Sequence, residues 1–283
     1  MQVWRTVDFA FVDAEREHDE LLAAAVEGDL VEHVARLHGP PIGEVRREAG
    51  SVWFLTGKDD PNENGVLRAA LGDGPVEEAV RSLTEPFADH GLPMMWWVFT
   101  RGALAARVDM ALLRLGLALR SDRPGMGLDL REFEPPTAPI GTTVERVRDP
   151  ASLRTWADVV GRAFADAAFA ESPSVAFNLA MGFGDDGPFR HFVCRVDGEY
   201  VGAATLSLCA PGVAGLANIS TVPEWRGRGI GGAVASAALL EARAMGIAIA
   251  ALSSDDLGVG LYRRLGFRTV CRHLTYVGRP VSR

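Results

Sequence analysis

From residue 226 to residue 232 the chain reads Arg-Gly-Arg-Gly-Ile-Gly-Gly, two guanidinium groups and four glycines in seven positions. Glycines let a ligand approach the main chain with no Cβ in the way, and arginines add charge-assisted hydrogen bonds to an anion. The run opens an alanine-rich helical stretch, whose first N–H groups lack intrahelical partners and whose dipole favours negative charge. That chemistry suits a pyrophosphate. The plain alternative is a glycine-rich turn with solvated arginines. Gly227 to Gly232 also fits the dinucleotide pattern G-x-G-x-x-G, so the neighbouring elements have to decide which guest is meant.

The elements around the run are legible. Residues 143–147 alternate as a short strand, and 150–164 and 172–182 carry helical periodicity. Residues 191–196, 199–208 and 213–222 read as strands, the first two joined by the hairpin signal Asp197-Gly198. An antiparallel meander follows. Residues 229–245 form an amphipathic helix closed by Gly246, and the apolar run 247–253 reads as a strand buried on both faces. Residues 258–265 form a short helix ended by Gly266, and a final pair of strands is expected to close the chain.

The first half echoes this ending. A helix at 75–90 closed by Gly91 leads to an apolar strand at 94–99 and a helix at 105–115. That helix ends Leu-Leu-Arg-Leu-Gly, against Tyr-Arg-Arg-Leu-Gly at 262–266. Two copies of one α/β unit are expected, coincidence between generic segments being the alternative. The proline-rich stretch from 131 reads as an extended linker.

The dinucleotide fold fails on two counts. Residues 223–226 separate the strand from the first glycine, and only about 30 residues follow Ser253, too few for further βαβ units. By contrast, Thr-Val-Pro-Glu-Trp-Arg-Gly-Arg-Gly-Ile-Gly (221–231) resembles the R-x-x-G-x-G/A signature of the GNAT superfamily of acyl-CoA-dependent N-acetyltransferases. Arg226, Gly229 and Gly231 fall on its fixed positions, and Pro223 where proline is common. The family's L-Y-x-x-x-G-F signature is matched by Leu261 to Phe267, and the resemblance spans about residues 142–278. Asp255 stands where the family often has asparagine.

The resemblance implies an α/β (α+β) protein of two GNAT-like domains, each a mixed, mostly antiparallel twisted sheet flanked by helices. Their expected bounds are 1–130 and 143–283, with a linker at 131–142. It implies that the backbone of Ile219, Ser220, Thr221 and Val222 aligns the pantetheine arm of acetyl-CoA and offers an N–H to the thioester. Arg226, Gly227, Arg228, Gly229, Ile230, Gly231 and Gly232 would hold the pyrophosphate, with Asp255 close to the cofactor chain.

Tyr262 occupies the place of the family's general acid toward the departing thiolate, its phenol protonated at neutral pH. Its plain alternative is a core tyrosine beside Leu265 and Phe267. The strand 213–222 carries no carboxylate, which leaves Asp255, Asp256, Glu171, His191 or a water relay as the base.

The first copy lacks this equipment. Its counterpart loop at 71–75, Leu-Gly-Asp-Gly-Pro, has no arginine, Asp73 would repel a pyrophosphate, and Pro75 removes an N–H donor. Leu112 stands at the place of Tyr262. One acetyl-CoA per chain is expected, with the first copy a scaffold or acceptor-pocket wall. Of Trp96 and Trp97, one is expected in the first core and the other toward the domain interface. The acidic run 13–20 reads as a solvated helix face.

The formal charge of −8 argues against non-specific nucleic-acid binding, and no apolar run approaches a membrane span. The first twenty residues are too acidic for a signal peptide. Cys194, Cys209 and Cys271 form no C-x-x-C pair, and His33 and His38 are five apart, off a common helix face, so no metal is expected. A cytoplasmic monomer or homodimer acting on a small-molecule amine or a peptide fits these features. The alternatives are a protein N-terminus as acceptor, another acyl-CoA as donor, or a CoA-binding sensor without turnover.

Overall fold

Local chemistry sets the elements of the second half. In the computed structural model, which describes residues 9–72, 74–99 and 104–281, Asp149 accepts from the Ser152 N–H at 2.8 Å, while the Ser152 hydroxyl faces back to the Asp149 N–H. This reciprocal cap, with Pro150 in the first turn, starts helix α4 (Pro150–Phe164). Leu153, Trp156, Ala157 and Val160 form its buried stripe. Asp197 and Gly198 both take positive φ, 50° and 89°, the twist a two-residue hairpin needs between β7 (Phe189–Val196) and β8 (Glu199–Ser207). Around them lie β6 (Thr142–Arg146), α5 (Pro173–Met181), β9 (Val213–Thr221), α6 (Ile230–Ala244), β10 (Ile249–Ser253) and α7 (Val259–Arg264).

The first half comprises α1 (Phe9–His38), β1 (Glu44–Glu48), β2 (Ser51–Leu55), β3 (Asn64–Arg68), α2 (Val76–Asp89), β4 (Met94–Phe99), α3 (Leu104–Arg114) and β5 (Ala118–Asp129). Asp73 lies outside the described residues. The acidic run falls on α1, where Arg16, Glu17 and Glu20 are exposed and Asp19 pairs with Arg268 at 3.0 Å.

The chain ends in one strand rather than a pair: β11 (Arg268–Gly278) is continuous, with register shifts at Thr269/Cys271 and Thr275/Tyr276. Its partners are distant in sequence. All eleven strands make one mixed, mostly antiparallel sheet in the order β1-β2-β3-β4-β11-β5-β10-β9-β8-β7-β6. The last strand of the second half therefore sits between β4 and β5 of the first, and β5 sits between β11 and β10 of the second. Each half lends its final strand to the other.

Helices cover both faces. Helices α2 and α3 pack on one face of the first half over Trp96, Met94 and Val66, while Trp97 points to the other face beneath α1. Both tryptophans are buried, and Trp97 meets His273 of β11 edge-on, centroids 4.7 Å apart. In the second half, α6 covers the face that carries Gly202, which lies under Ile230. Helix α4 covers the opposite face, where Trp156 lies 4.2 Å from the His191 ring. Helix α1 spans β2, β5, β9, β10 and β11 and so bridges the two halves.

Candidate active site

Strands β9 and β10 run parallel, and their pairing stops at Gly215 and Ala251. Beyond that point they part, and β9 carries a bulge: Ser220 faces Ala203, but Ala217 faces Thr205, with Asn218 at φ 52° between them. The stretch from Ala217 to Thr221 therefore has no strand partner on its β10 side. Unpaired backbone groups at such a strand edge are what an extended ligand chain adds to. Ile219 is half-buried, Ser220 is 5% exposed with no hydroxyl partner, and Thr221 Oγ1 faces Gly231. The Val222 N–H is committed to the Val201 carbonyl at 2.9 Å, and its side chain is core.

The glycine run lies at the open end of this cleft. After a 3₁₀ turn at Pro223–Trp225, Gly229 at φ 83° turns the chain into α6, and the first N–H bonded within the helix is that of Ala233, to Gly229. Ile230, Gly231 and Gly232 thus present free N–H groups, an anion site of the helix N-terminal kind. Gly227 and Arg228 are exposed beside them, the Arg228 guanidinium stacked 4.7 Å over Trp225.

The glycines also serve packing. A side chain at 231 or 232 would meet Leu261 of α7, and one at 229 would meet Pro139. The linker runs along α6: Arg243 donates to the Phe133 carbonyl at 2.7 Å near its end, while Pro136 and Pro139 lie beside Gly232 and Gly229 near its start.

The Arg226 side chain is held by backbone carbonyls. Its Nη2 donates to the Ala163 carbonyl at 2.6 Å and its Nε to the Thr221 carbonyl at 3.2 Å. It pins the end of β9 to the end of α4 and satisfies a helix carbonyl otherwise left orphaned.

Tyr262 stands on α7, the helix whose Leu261 touches the glycine run. Asp255 opens the turn that leads into this helix, its Oδ1 accepting from the N–H of Gly258, the N-cap residue, at 2.8 Å, a bond an asparagine could also make. Gly258 is small because Tyr262 Cε2 and Ser254 Oγ fill the space of its side chain, and Phe267 meets the ring edge-on at 5.8 Å. Burial, helped by the Asp255 charge, pushes the Tyr262 phenol well above its usual range.

The structure separates the proposed bases. Asp255, Asp256 and Glu171 are all exposed, and Asp255 is engaged by the Gly258 N–H. His191 is 5% exposed with Nδ1 2.9 Å from Thr205 Oγ1, which in turn lies 3.4 Å from Asn218 Nδ2 in the bulge. Burial first, and His33 second, push its pKa down to about 3, leaving a weak base. Sequence reading passed over Asp29, a buried carboxylate on α1. Its signal is an acid within the otherwise apolar buried set Leu22, Val26, Val31 and Ala35. Among the described residues no group of three or more His, Cys, Asp or Glu could hold a metal ion, and no helix is long and apolar enough to cross a membrane.

Residues 154–267 match the model of the acetyltransferase (GNAT) family, and this segment is a GNAT domain. Among solved structures the chain is similar to a GCN5-related N-acetyltransferase from Kribbella flavida, at TM-score 0.69 and 19% identity over 90% of this chain and 95% of that one. A tandem GNAT protein from the clavulanic acid biosynthesis pathway aligns at TM-score 0.61 and 14% identity, over 88% and 87% of the two chains. A GCN5-related N-acetyltransferase from Sphaerobacter thermophilus gives TM-score 0.58 and 17% identity, over 82% of each. No curated protein matches the chain by sequence.

Proposed function

We propose that this chain moves the acetyl group of acetyl-CoA onto a primary amine of a small molecule or peptide. The observation that carries the reading is one juxtaposition. The cleft where β9 and β10 part opens beside a helix start with three free N–H groups, and the adjoining helix presents Tyr262. In this reading Ile230, Gly231, Gly232 and Arg228 bind the pyrophosphate, and the unpaired edge from Ala217 to Thr221 aligns the pantetheine arm. Backbone N–H groups at the Asn218 bulge polarise the thioester carbonyl. Tyr262, held protonated by burial, supplies the proton the departing thiolate takes.

Incubation with acetyl-CoA and a panel of primary amines, with free thiol followed in time, tests the reading. Amine-dependent, catalytic release of CoA is expected. Tight acetyl-CoA binding without thiol release from any amine would instead describe a sensor.

A further inference from the structure

The amine's own site follows from a residue of the first half. Asp29 of α1 lies flat on the backbone of Gly215, so closely that a side chain at 215 would collide with both carboxylate oxygens. Gly215 is the last residue of β9 paired to β10 before the strands part. Asp29 therefore sits at the vertex of the cleft whose open arm is read above as the thioester site. The residue is 2% exposed, and its Oδ1 has no hydrogen-bond partner. Ser207 of β8, which pairs with Gly215, is the polar side chain beside it. A buried carboxylate is costly to keep, and an Oδ1 without a partner calls for a ligand that supplies a donor.

We propose that Asp29 binds the acceptor as a small primary ammonium ion and takes its first proton, so that the acceptor pocket is built by both halves. This rests on the acetyl-transfer reading. One ammonium proton passes to Asp29, freeing the nitrogen lone pair. The nitrogen then bonds to the thioester carbonyl carbon, the C–S bond breaks, and the sulfur takes the Tyr262 proton. The second nitrogen proton returns to the tyrosinate, and Asp29 releases its proton to solvent. Net, an ammonium and a thioester give an amide, a thiol and one proton. Burial pushes the carboxyl up to about 7, opposed in part by Ser207, so it accepts and releases protons near neutrality. The other titratable groups facing this spot are Cys209, Glu32 and Arg36, with His33 one turn along α1.

The test compares wild type with Asp29→Asn, with Asp29→Glu as a second variant, using putrescine, glucosamine and glycylglycine as acceptors. For Asp29→Asn we expect calorimetric acetyl-CoA affinity within twofold of wild type, kcat/KM for amine down about 10²-fold or more, and loss of the rate's dependence on pH near 7. Its melting temperature at pH 8 should rise by several degrees, because an uncompensated charge has gone. Asp29→Glu should recover part of the rate. A merely structural carboxylate predicts the reverse, a fall in melting temperature with the rate lost in proportion to unfolded protein, and that outcome overturns the assignment. Wild-type kcat/KM in Asp29→Asn overturns it too, while acetyl transfer itself stands. A wild type that acetylates none of these amines sinks both readings.

Discussion

The Nη2 atom of Arg226 lies 2.6 Å from the carbonyl oxygen of Ala163, at the end of α4. A motif arginine is thus bonded to backbone carbonyls, while its neighbour Arg228 stacks over Trp225. Arg226→Ala should lower the melting temperature by about 4–8 °C without ligand, since charge-assisted bonds contribute roughly 1.5–3 kcal/mol. Arg228→Ala should leave it within about 1 °C and weaken acetyl-CoA binding. Scanning calorimetry with and without acetyl-CoA separates the two, and equal effects would contradict the division of labour.

Gly229→Val should fail in two ways. A β-branched residue at φ 83° costs about 1–3 kcal/mol, and its side chain would press on Pro139. Urea unfolding should show that loss, and the thermal shift given by acetyl-CoA should vanish. Gly227→Ala, whose side chain would enter open space, should lose only the backbone part.

Tyr262→Phe should bind acetyl-CoA as wild type does and lower kcat by about 10²-fold. Because burial holds the phenol protonated through the alkaline range, wild-type kcat should not fall between pH 7 and 9 on its account. Stopped-flow thiol release across that range checks both statements.

Two opposing titrations share one pH range. Burial holds His191 down to about 3 and His273 to about 4, below the unfolded value near 6.5. Their contribution is complete above pH 6.5 and is lost as pH falls toward 4. Asp29, raised to about 7, acts with the other sign, and its contribution declines as pH rises from about 4 to 7. From pH 4 to about 6.5 the two histidines outweigh the one carboxyl, so the melting temperature should rise with pH, less steeply in His191→Gln and more steeply in Asp29→Asn.

Titration calorimetry should find one acetyl-CoA per chain. The helix of the first half that corresponds to α6 begins after Pro75 with no side-chain cap, and its loop has no arginine. Leu112, in the place of Tyr262, is fully buried in the first core. Two equivalent sites would contradict this asymmetry.

The parts of the fold that sequence reading captured are those set by near neighbours. The Asp197-Gly198 turn was read directly, and the helix at 150–164 is started by the Asp149–Ser152 cap, contacts that all act within four residues. What it missed depends on distant partners. Nothing in the alternation of 268–278 says that its neighbours will be β4 and β5. Helix α1 was obscured because Asp29 lies on its buried face and breaks the apolar period that reveals a helix. A residue that violates the pattern is where a site is to be expected. The glycine run illustrates a subtler limit: spacing located the anion site, but only packing shows that Arg226 holds α4 and that Gly229 makes room for Pro139.

The exchanged strands bear on why the first half persists at all. A half with no arginine in its counterpart loop and Leu112 in place of a tyrosine would carry no cofactor chemistry of its own. Here deletion of the first half would remove β5 from beside β10 and leave β11 without either neighbour. The arrangement is the single-chain counterpart of a dimer that swaps terminal strands. The first half is thus tied to the second at its last strand, whose loss would open a seam through the middle of the molecule.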